Sequence, residues 1–412
     1  MRRLAFWIPV AGVIAGLVGV CEIHFLSFVR WAMYGTYSTN FLQAHDHVHP
    51  LRMVLVPVVG GLIVACLWTI IRRRNRLVSV EAATEGARLP FIGTMSDALT
   101  QLIAVGSGFS IGREGAPRQM SAACIDLLLG KEKAEIRRLV LSCGAAAALA
   151  SVYGAPWAGI PFALSTIYGQ WTIAGVITSG LVSWIAAEVA WFFVGHRPVL
   201  FIGEVDSSYM ASAWWVLVII PCALVVARIF EKLCRVSTVA ANPYVAMMGV
   251  GLLTGVIGLG LPQALGNGAA TLLFDMQEPR VAVAAGFIIS VGLLVVKPVL
   301  TSISLRAGMA GGLLMPAAST GAALGSSIFF GLLALGIIPR EQELFILFVA
   351  TGAAIVLGLT NKSMLFAVLC LVEITGMPLW WGGVIAIAGG VALGVNHGCS
   401  LAYRSRAMRR SP

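Results

Sequence analysis

Residues Gly106 to Pro117 read GSGFSIGREGAP and place an adjacent Arg113-Glu114 pair inside a glycine-rich run that lies in apolar sequence. Glycine tolerates unusual backbone angles, so a run of it can end one helix and start another. A helix start presents unpaired N–H groups and a partial positive charge, and so attracts anions. Within a bilayer such a break is tolerated only where it is buried in protein or lines a watery cavity. The stretch therefore reads as a helix start facing a pathway. Glu114 places a carboxylate in an anion site, where it competes with a bound anion or carries a proton. A structural ion pair or a surface loop is the plainer reading of the same two residues, but ionisable groups inside a membrane are functional by default. Ile111 excludes a dinucleotide fingerprint, and the absence of Lys-Ser/Thr after Gly112 excludes a phosphate loop.

The rest of the chain supports the membrane setting. It is 58% hydrophobic and 11% charged, with mean hydropathy +0.90. Soluble domains carry about 25% charged residues. Apolar runs recur at Leu4–Val20, Leu51–Ile71, Thr172–Val194, Trp214–Ile229, Val245–Leu261 and Val281–Val296. Further ones are Leu313–Ile338, Leu344–Leu359, Met364–Val372 and Val384–Val395. They predict an all-α polytopic membrane protein with on the order of ten or more helical segments, and no alternating strands of a barrel. The net charge of +10 reflects basic loops flanking membrane helices rather than a nucleic-acid surface. Arg2 and Arg3 open the chain, Arg72, Arg73, Arg74 and Arg76 follow an apolar run, and Arg404, Arg406, Arg409 and Arg410 close it. Both termini are therefore expected on the cytoplasmic side of the cell (inner) membrane.

No long polar linker divides the chain, so residues 1–412 are expected to form one membrane transport domain without a soluble domain. Its halves, roughly 1–200 and 210–412, show an ordered likeness. GREGAP from Gly112 corresponds to GLLMPA from Gly312, and GAAAALAS from Gly144 to GAAIVLGL from Gly352. The breaks VYGAPWAG and TNKSMLFA follow the second pair. Interrupted hydrophobic segments at corresponding places in two halves point to a transporter site at the repeat interface. The eight cysteines form no Cys-x-x-Cys and read as small buried hydrophobes. His45, His47 and His49 alternate around Asp46 in a polar loop, with nothing to complete a metal site. Neither a metal nor another cofactor is expected.

The run GSGFSIGREGAPRQ resembles the Gly-Arg-Glu-Gly-Pro signature of the CLC chloride channels and proton/chloride antiporters, with Ala116 where proline is usual. AGGLLMPAASTGAALG, Ala310 to Gly325, resembles that family's Gly-x-Phe-x-Pro signature, with Leu314 in place of Phe. LPQALGNG from Leu261, VKPVLTSISLRAG from Val296 and CLVEITG from Cys370 resemble further family segments in the same order. The resemblance implies inverted repeats of tilted and broken helices, and a homodimer with one pathway per subunit. Glu114 would be the gating and proton residue. The amides of Gly112, Arg113, Glu114 and Gly115 would line an outer anion site, and those of Leu313 and Leu314 a central one. Ser79 falls at the place of the family's anion-binding serine, although its flanking glycines are Val78 and Val80 here.

The inner glutamate that hands protons to the cytoplasm in the family's antiporters falls on Thr166, beside Ser165. Neither carries a proton at physiological pH. Glu22 and Glu188 lie in apolar segments and are candidate substitutes, with helix-packing carboxylates as the plainer reading. The family's pathway tyrosine corresponds loosely to Tyr403, with Cys399 or His397 as alternatives for that place. Glu373 reads as a structural, hydrogen-bonded carboxylate. Lys297, Arg306 and Lys362 either raise the anion potential of the pathway or snorkel to interfaces. The expected function is transmembrane transport of chloride or a similar small anion, as a channel or as an atypical proton-coupled antiporter. A fluoride/proton exporter of the same fold and a transport-dead scaffold are the alternatives. An integral-membrane enzyme would need a catalytic constellation in the polar loops, and the sequence has none.

Overall fold

The computed structural model describes residues 2–37, 47–130, 132–196, 198–200, 202, 207–277 and 281–408. Residues 2, 207–211, 274, 277 and 399–408 are described by their backbone alone. The chain begins with α1 (Arg2–Tyr34), α2 (Pro50–Arg74), the short α3 (Val80–Thr84), α4 (Phe91–Gly106) and α5 (Gly115–Leu129). Next come α6 (Ala134–Tyr153), α7 (Pro156–Pro161) running into a π-helical turn (Phe162–Tyr168), and α8 (Ile173–Val194). After a 3₁₀ segment (Ser207–Val218) follow α9 (Ile219–Cys234), α10 (Pro243–Gly260) and α11 (Ala269–Gln277). The chain ends with α12 (Val283–Arg306), α13 (Leu314–Ala334), α14 (Gln342–Thr360), α15 (Met364–Thr375) and α16 (Leu379–Met408).

Among the described residues, 10 helices are long and apolar enough to cross a membrane. They differ from the expected runs in two places. Met364–Val372 belongs to α15, whose 12 residues are too few for a bilayer that needs about 20. Ala134–Tyr153, of which the sequence reading singled out only GAAAALAS from Gly144, is a full-length candidate. Alanine and the charges Glu135, Arg137 and Arg138 hold its hydropathy to 1.3, and it can afford them because 89% of its window is buried in protein. The same measure puts α14 (83%) and α13 (72%) at the centre and α10 (28%) at the rim. Large apolar side chains such as Phe192 and Ile173 are exposed, which suits contact with lipid.

Side chains and prolines set the helix starts. Asn242 caps α10 by accepting from Tyr244 N and Val245 N, and Thr172 and Ser363 cap α8 and α15. Pro50, Pro156 and Pro243 occupy first-turn positions, where no N–H is missed. Helix pairs close on small residues, since packing rather than water drives association in lipid. A Cβ at Gly321 would lie 2.2 Å from Gly352 O, and one at Gly325 would lie 2.2 Å from Phe348 O. α13 and α14 therefore touch backbone to backbone.

Candidate functional site

The site forms where α4 and α12 stop. Ser107 N donates to Ile103 O, Gly108 N to Val105 O and Phe109 N to Ala104 O. The same pattern recurs at Ala307 N to Ile303 O, Gly308 N to Leu305 O and Met309 N to Ser304 O. Gly108 (φ 103°) and Gly308 (φ 98°) make the left-handed turn that each stop requires. The two chain segments then meet in an antiparallel bridge. Gly112 N donates to Gly312 O at 2.7 Å, and Gly312 N donates to Gly112 O at 2.8 Å. Just beyond this clasp α5 and α13 begin.

Glu114 folds over the clasp and is 1% exposed. Its Oε1 accepts from Met315 N at 3.0 Å and from the Tyr153 hydroxyl at 3.2 Å. Its Oε2 has no hydrogen-bond partner among the described residues. The carboxylate thus sits on the first turn of α13, where the helix dipole and open amides favour negative charge. The glycines now have a second explanation. Gly112 and Gly312 do not adopt positive φ, but a Cβ on either would lie 1.9 Å from Glu114 Oε2. They leave room for the carboxylate rather than permitting a special backbone angle.

At α13's start lies a cavity of about 330 Å³, lined by residues that include Leu313, Leu314, Glu231, Arg235, Asn361 and Lys362. Arg235, Lys362 and a helix N-terminus face this space against the one carboxylate of Glu231, so its balance is positive and favours an anion. Lys362 turns the chain between α14 and α15 with φ 56°, the one positive-φ residue other than glycine among those described. The α13 N-terminus is thus shared: Met315 N holds Glu114, and Leu313 and Leu314 line the cavity.

The expected site residues divide as follows. Leu313 and Leu314 line the cavity, but the amide that holds Glu114 is that of Met315, one residue further on. Gly112 was expected to offer its amide to an anion, and that amide is instead engaged by Gly312 O. Gly115 opens α5, and a Cβ there would lie 2.5 Å from Gln101 Oε1. Arg113 turns away from the α13 start: its Nη1 lies 3.5 Å from Glu22 Oε2, and its Cζ lies 5.0 Å from the centre of the Tyr153 ring. This also relocates Glu22. It is fully buried beside Arg113, whereas Thr166, the position expected to correspond to the inner glutamate, accepts from Asn361 Nδ2 at 3.4 Å. Glu188 is exposed on α8. Ser79 is exposed and caps α3, accepting from Ala82 N at 3.1 Å. The neighbouring Glu81 is pushed up by burial. The Arg118 charge at 2.6 Å, its own backbone and Ser79 outweigh that and hold the carboxyl below its ordinary value.

Lys297 does not snorkel. It is fully buried and donates to Ala264 O and Gly266 O at 2.9 and 2.6 Å. Gly266 N in turn donates to Gly108 O, so Lys297 ties the Leu261–Gly268 loop to the first break. Glu373 accepts from Trp157 N and Ala158 N at 2.9 and 2.8 Å, capping α7. His49 Nδ1 accepts from Leu51 N at the start of α2. His397 is exposed. The side chains of Tyr403 and Cys399, and His45 with Asp46, lie outside the described residues.

Two partners of Glu114 escaped the sequence reading, Tyr153 and Met315. Both lie in stretches whose correspondence was visible, VYGAPWAG and GLLMPA, but nothing in a single sequence shows that they converge on one carboxylate. Removing the Tyr153 hydroxyl takes away a buried hydrogen bond to a charged group, worth about 1.5–3 kcal/mol. Tyr153→Phe is therefore expected to let Glu114 take up a proton more readily. It should raise the pH at which Glu114 protonates by about one unit, read from its carboxyl stretch in infrared difference spectra across a pH series.

Residues 60–395 match the family described as Voltage gated chloride channel. The chain is 25% identical over 389 residues to the Voltage-gated ClC-type chloride channel ClcB of Shigella flexneri, covering 88% of this chain and 90% of the relative. It is 26% identical over 394 residues to the protein of the same name from Escherichia coli, covering 91% of each. Its fold matches the crystal structure of a slow cyanobacterial Cl⁻/H⁺ antiporter with TM-score 0.77 and 18% identity over 99% of both chains. It also matches a CLC-type fluoride/proton antiporter with TM-score 0.71 and 19% identity, covering 95% of this chain and 94% of that one.

Proposed function

Because the chain belongs to the voltage gated chloride channel family, we propose that it carries chloride or a similar small anion across a membrane, with Glu114 as the gate. The observation that carries this reading is the seat of the Glu114 carboxylate on the Met315 amide at the start of α13. A negative side chain there occupies the place an anion would take. Ionised, it blocks the path between the cavity at Leu313 and Leu314 and the far side of the clasp. Protonated or displaced, it gives up the helix start to the anion.

The rest of the architecture belongs to the same proposal. The recurring hydrogen bonds at 107–109 and 307–309, joined by the Gly112–Gly312 bridge, support inverted repeats with the pathway between them. Two copies form a dimer, each with its own pathway and with both termini on the cytoplasmic side of the inner membrane. Kinship with the family supports the dimer, and light scattering in detergent should read a protein mass near twice 43.4 kDa. Thr166 and Ser165 offer no carboxyl at the inner position, so the protein works either as a channel or as an exchanger with a water-mediated inner proton route. Kinship with the family supports Ser79, at the exposed start of α3, as an anion-binding residue.

The test is reconstitution in liposomes with a chloride gradient, following chloride efflux and internal pH together. Chloride efflux is expected. Proton movement against its gradient assigns an exchanger, and efflux without it a channel. The same vesicles loaded with fluoride decide between anions. No flux of chloride, nitrate or fluoride contradicts the reading.

A further inference from the structure

We infer that Glu22 is a positioning residue for the gate: acting through Arg113, it sets the pH at which Glu114 releases the anion path. The inference rests on Glu114 being the gate. Glu22 lies in the middle of α1 and is 0% exposed. Its Oε2 lies 3.5 Å from Arg113 Nη1, and its Oε1 has no partner among the described residues. The charged and titratable groups that act on Glu22 are Arg113 and Glu114 from the break before α5, Arg30 from its own helix and Tyr153 from α6. Arg30, Arg113 and Glu114 are all buried.

Arginine keeps its charge in proteins, so Arg30 and Arg113 set two fixed positive charges against the two carboxylates, while the buried Lys297 of α12 and the Cys370 thiol of α15 also act on Glu114. The four groups around Glu22 balance when both carboxylates are ionised. When Glu114 takes a proton the cluster gains a positive charge, which suits the arrival of an anion. Arg113 stands between the two carboxylates, bound to Glu22 on one side and stacked on the Tyr153 ring, whose hydroxyl holds Glu114, on the other. The two acids therefore share one arginine. Glu22 draws on Arg113 and repels Glu114, and both effects help Glu114 to accept a proton. Without the Glu22 charge, Arg113 serves Glu114 alone and the gate stays ionised to lower pH. At an effective dielectric near 20, unit charges within one buried cluster change each other's proton binding by about tenfold or more.

The full-length protein, reconstituted in liposomes, is assayed for chloride efflux across a pH series as wild type, Glu22→Gln, Arg113→Gln and the double variant. Glu22→Gln is expected to lower the pH of half-maximal flux by about one unit while reaching a wild-type rate at low pH. Arg113→Gln is expected to raise it, and the double variant, again charge-balanced, to return close to the wild-type value. A merely structural Glu22 would lower rates without opposite shifts in the profile. An unchanged midpoint in a monodisperse, conducting Glu22→Gln overturns the inference while leaving the gate in place. Should that variant not fold, adding Glu22→Gln to Arg113→Gln must lower the midpoint, and no change there overturns it equally. A wild-type flux that does not vary with pH removes the Glu114 gate, and this inference with it.

Discussion

Glu114→Gln is expected to leave anion flux running and to remove both its pH dependence and any proton movement. Glutamine is nearly isosteric with the glutamate. It can still accept from Met315 N and Tyr153, which now hold Oε1 at 3.0 and 3.2 Å. What it lacks is the charge. A neutral amide no longer competes with an anion for the start of α13, and it exchanges no proton in the working pH range. Chloride efflux from liposomes should then vary by less than about twofold over a span where the wild type falls by about tenfold per pH unit well above its midpoint. Internal pH should stay flat throughout. A Glu114→Gln protein that keeps the wild-type pH profile would show that another group controls the path.

Gly321→Val is expected to give no folded protein. A Cβ at Gly321 would lie 2.2 Å from Gly352 O and 2.7 Å from Gly352 C. Those are backbone atoms of α14, so no side-chain rotation relieves the overlap. Valine adds two further carbons at the same point. Overpacking a core with movable neighbours costs about 1–3 kcal/mol, and here the neighbours are fixed helix backbone at the buried centre of the molecule. The measurement is the yield of a monodisperse peak on size exclusion in detergent, with Gly249→Ala as control. Gly249 also lies in a helix, but a Cβ there meets nothing within 4 Å. Recovery of Gly321→Val at the control's yield would show that α13 and α14 are further apart than the structure has them.

The sequence showed the fold class because lipid imposes a strong composition rule, and it showed the two helix breaks because glycine and charge are rare in apolar runs. It caught only the GAAAALAS half of α6, for the same reason that it found the rest. A helix enclosed by protein need not be strongly apolar, and Ala134–Tyr153 carries alanines and charges. It overrated Met364–Val372, since hydropathy alone does not reveal a helix too short to span. Within the site, Glu114 and the Leu313–Leu314 helix start were visible as signatures. The carboxylate's actual donors were not, because Tyr153, Met315 and Glu114 are brought together by three separate helices. The Glu22–Arg113 pair was hidden likewise: an isolated glutamate in an apolar run does not name its partner. The role of Gly112 changed most, from a free amide to one half of a clasp whose missing side chain makes room for Glu114.

The central claim is that Glu114 and the transported anion take turns at one place, the first turn of α13. Crystals of Glu114→Gln grown in bromide test it directly through the anomalous signal of bound bromide. The account predicts a bromide peak within hydrogen-bonding distance of the Met315 amide in the variant, and none there in wild type at a pH where Glu114 is ionised. Bromide beside the Met315 amide in wild type, with the Glu114 carboxylate still seated on it, would contradict the account, as would a conducting variant with no bromide at that helix start.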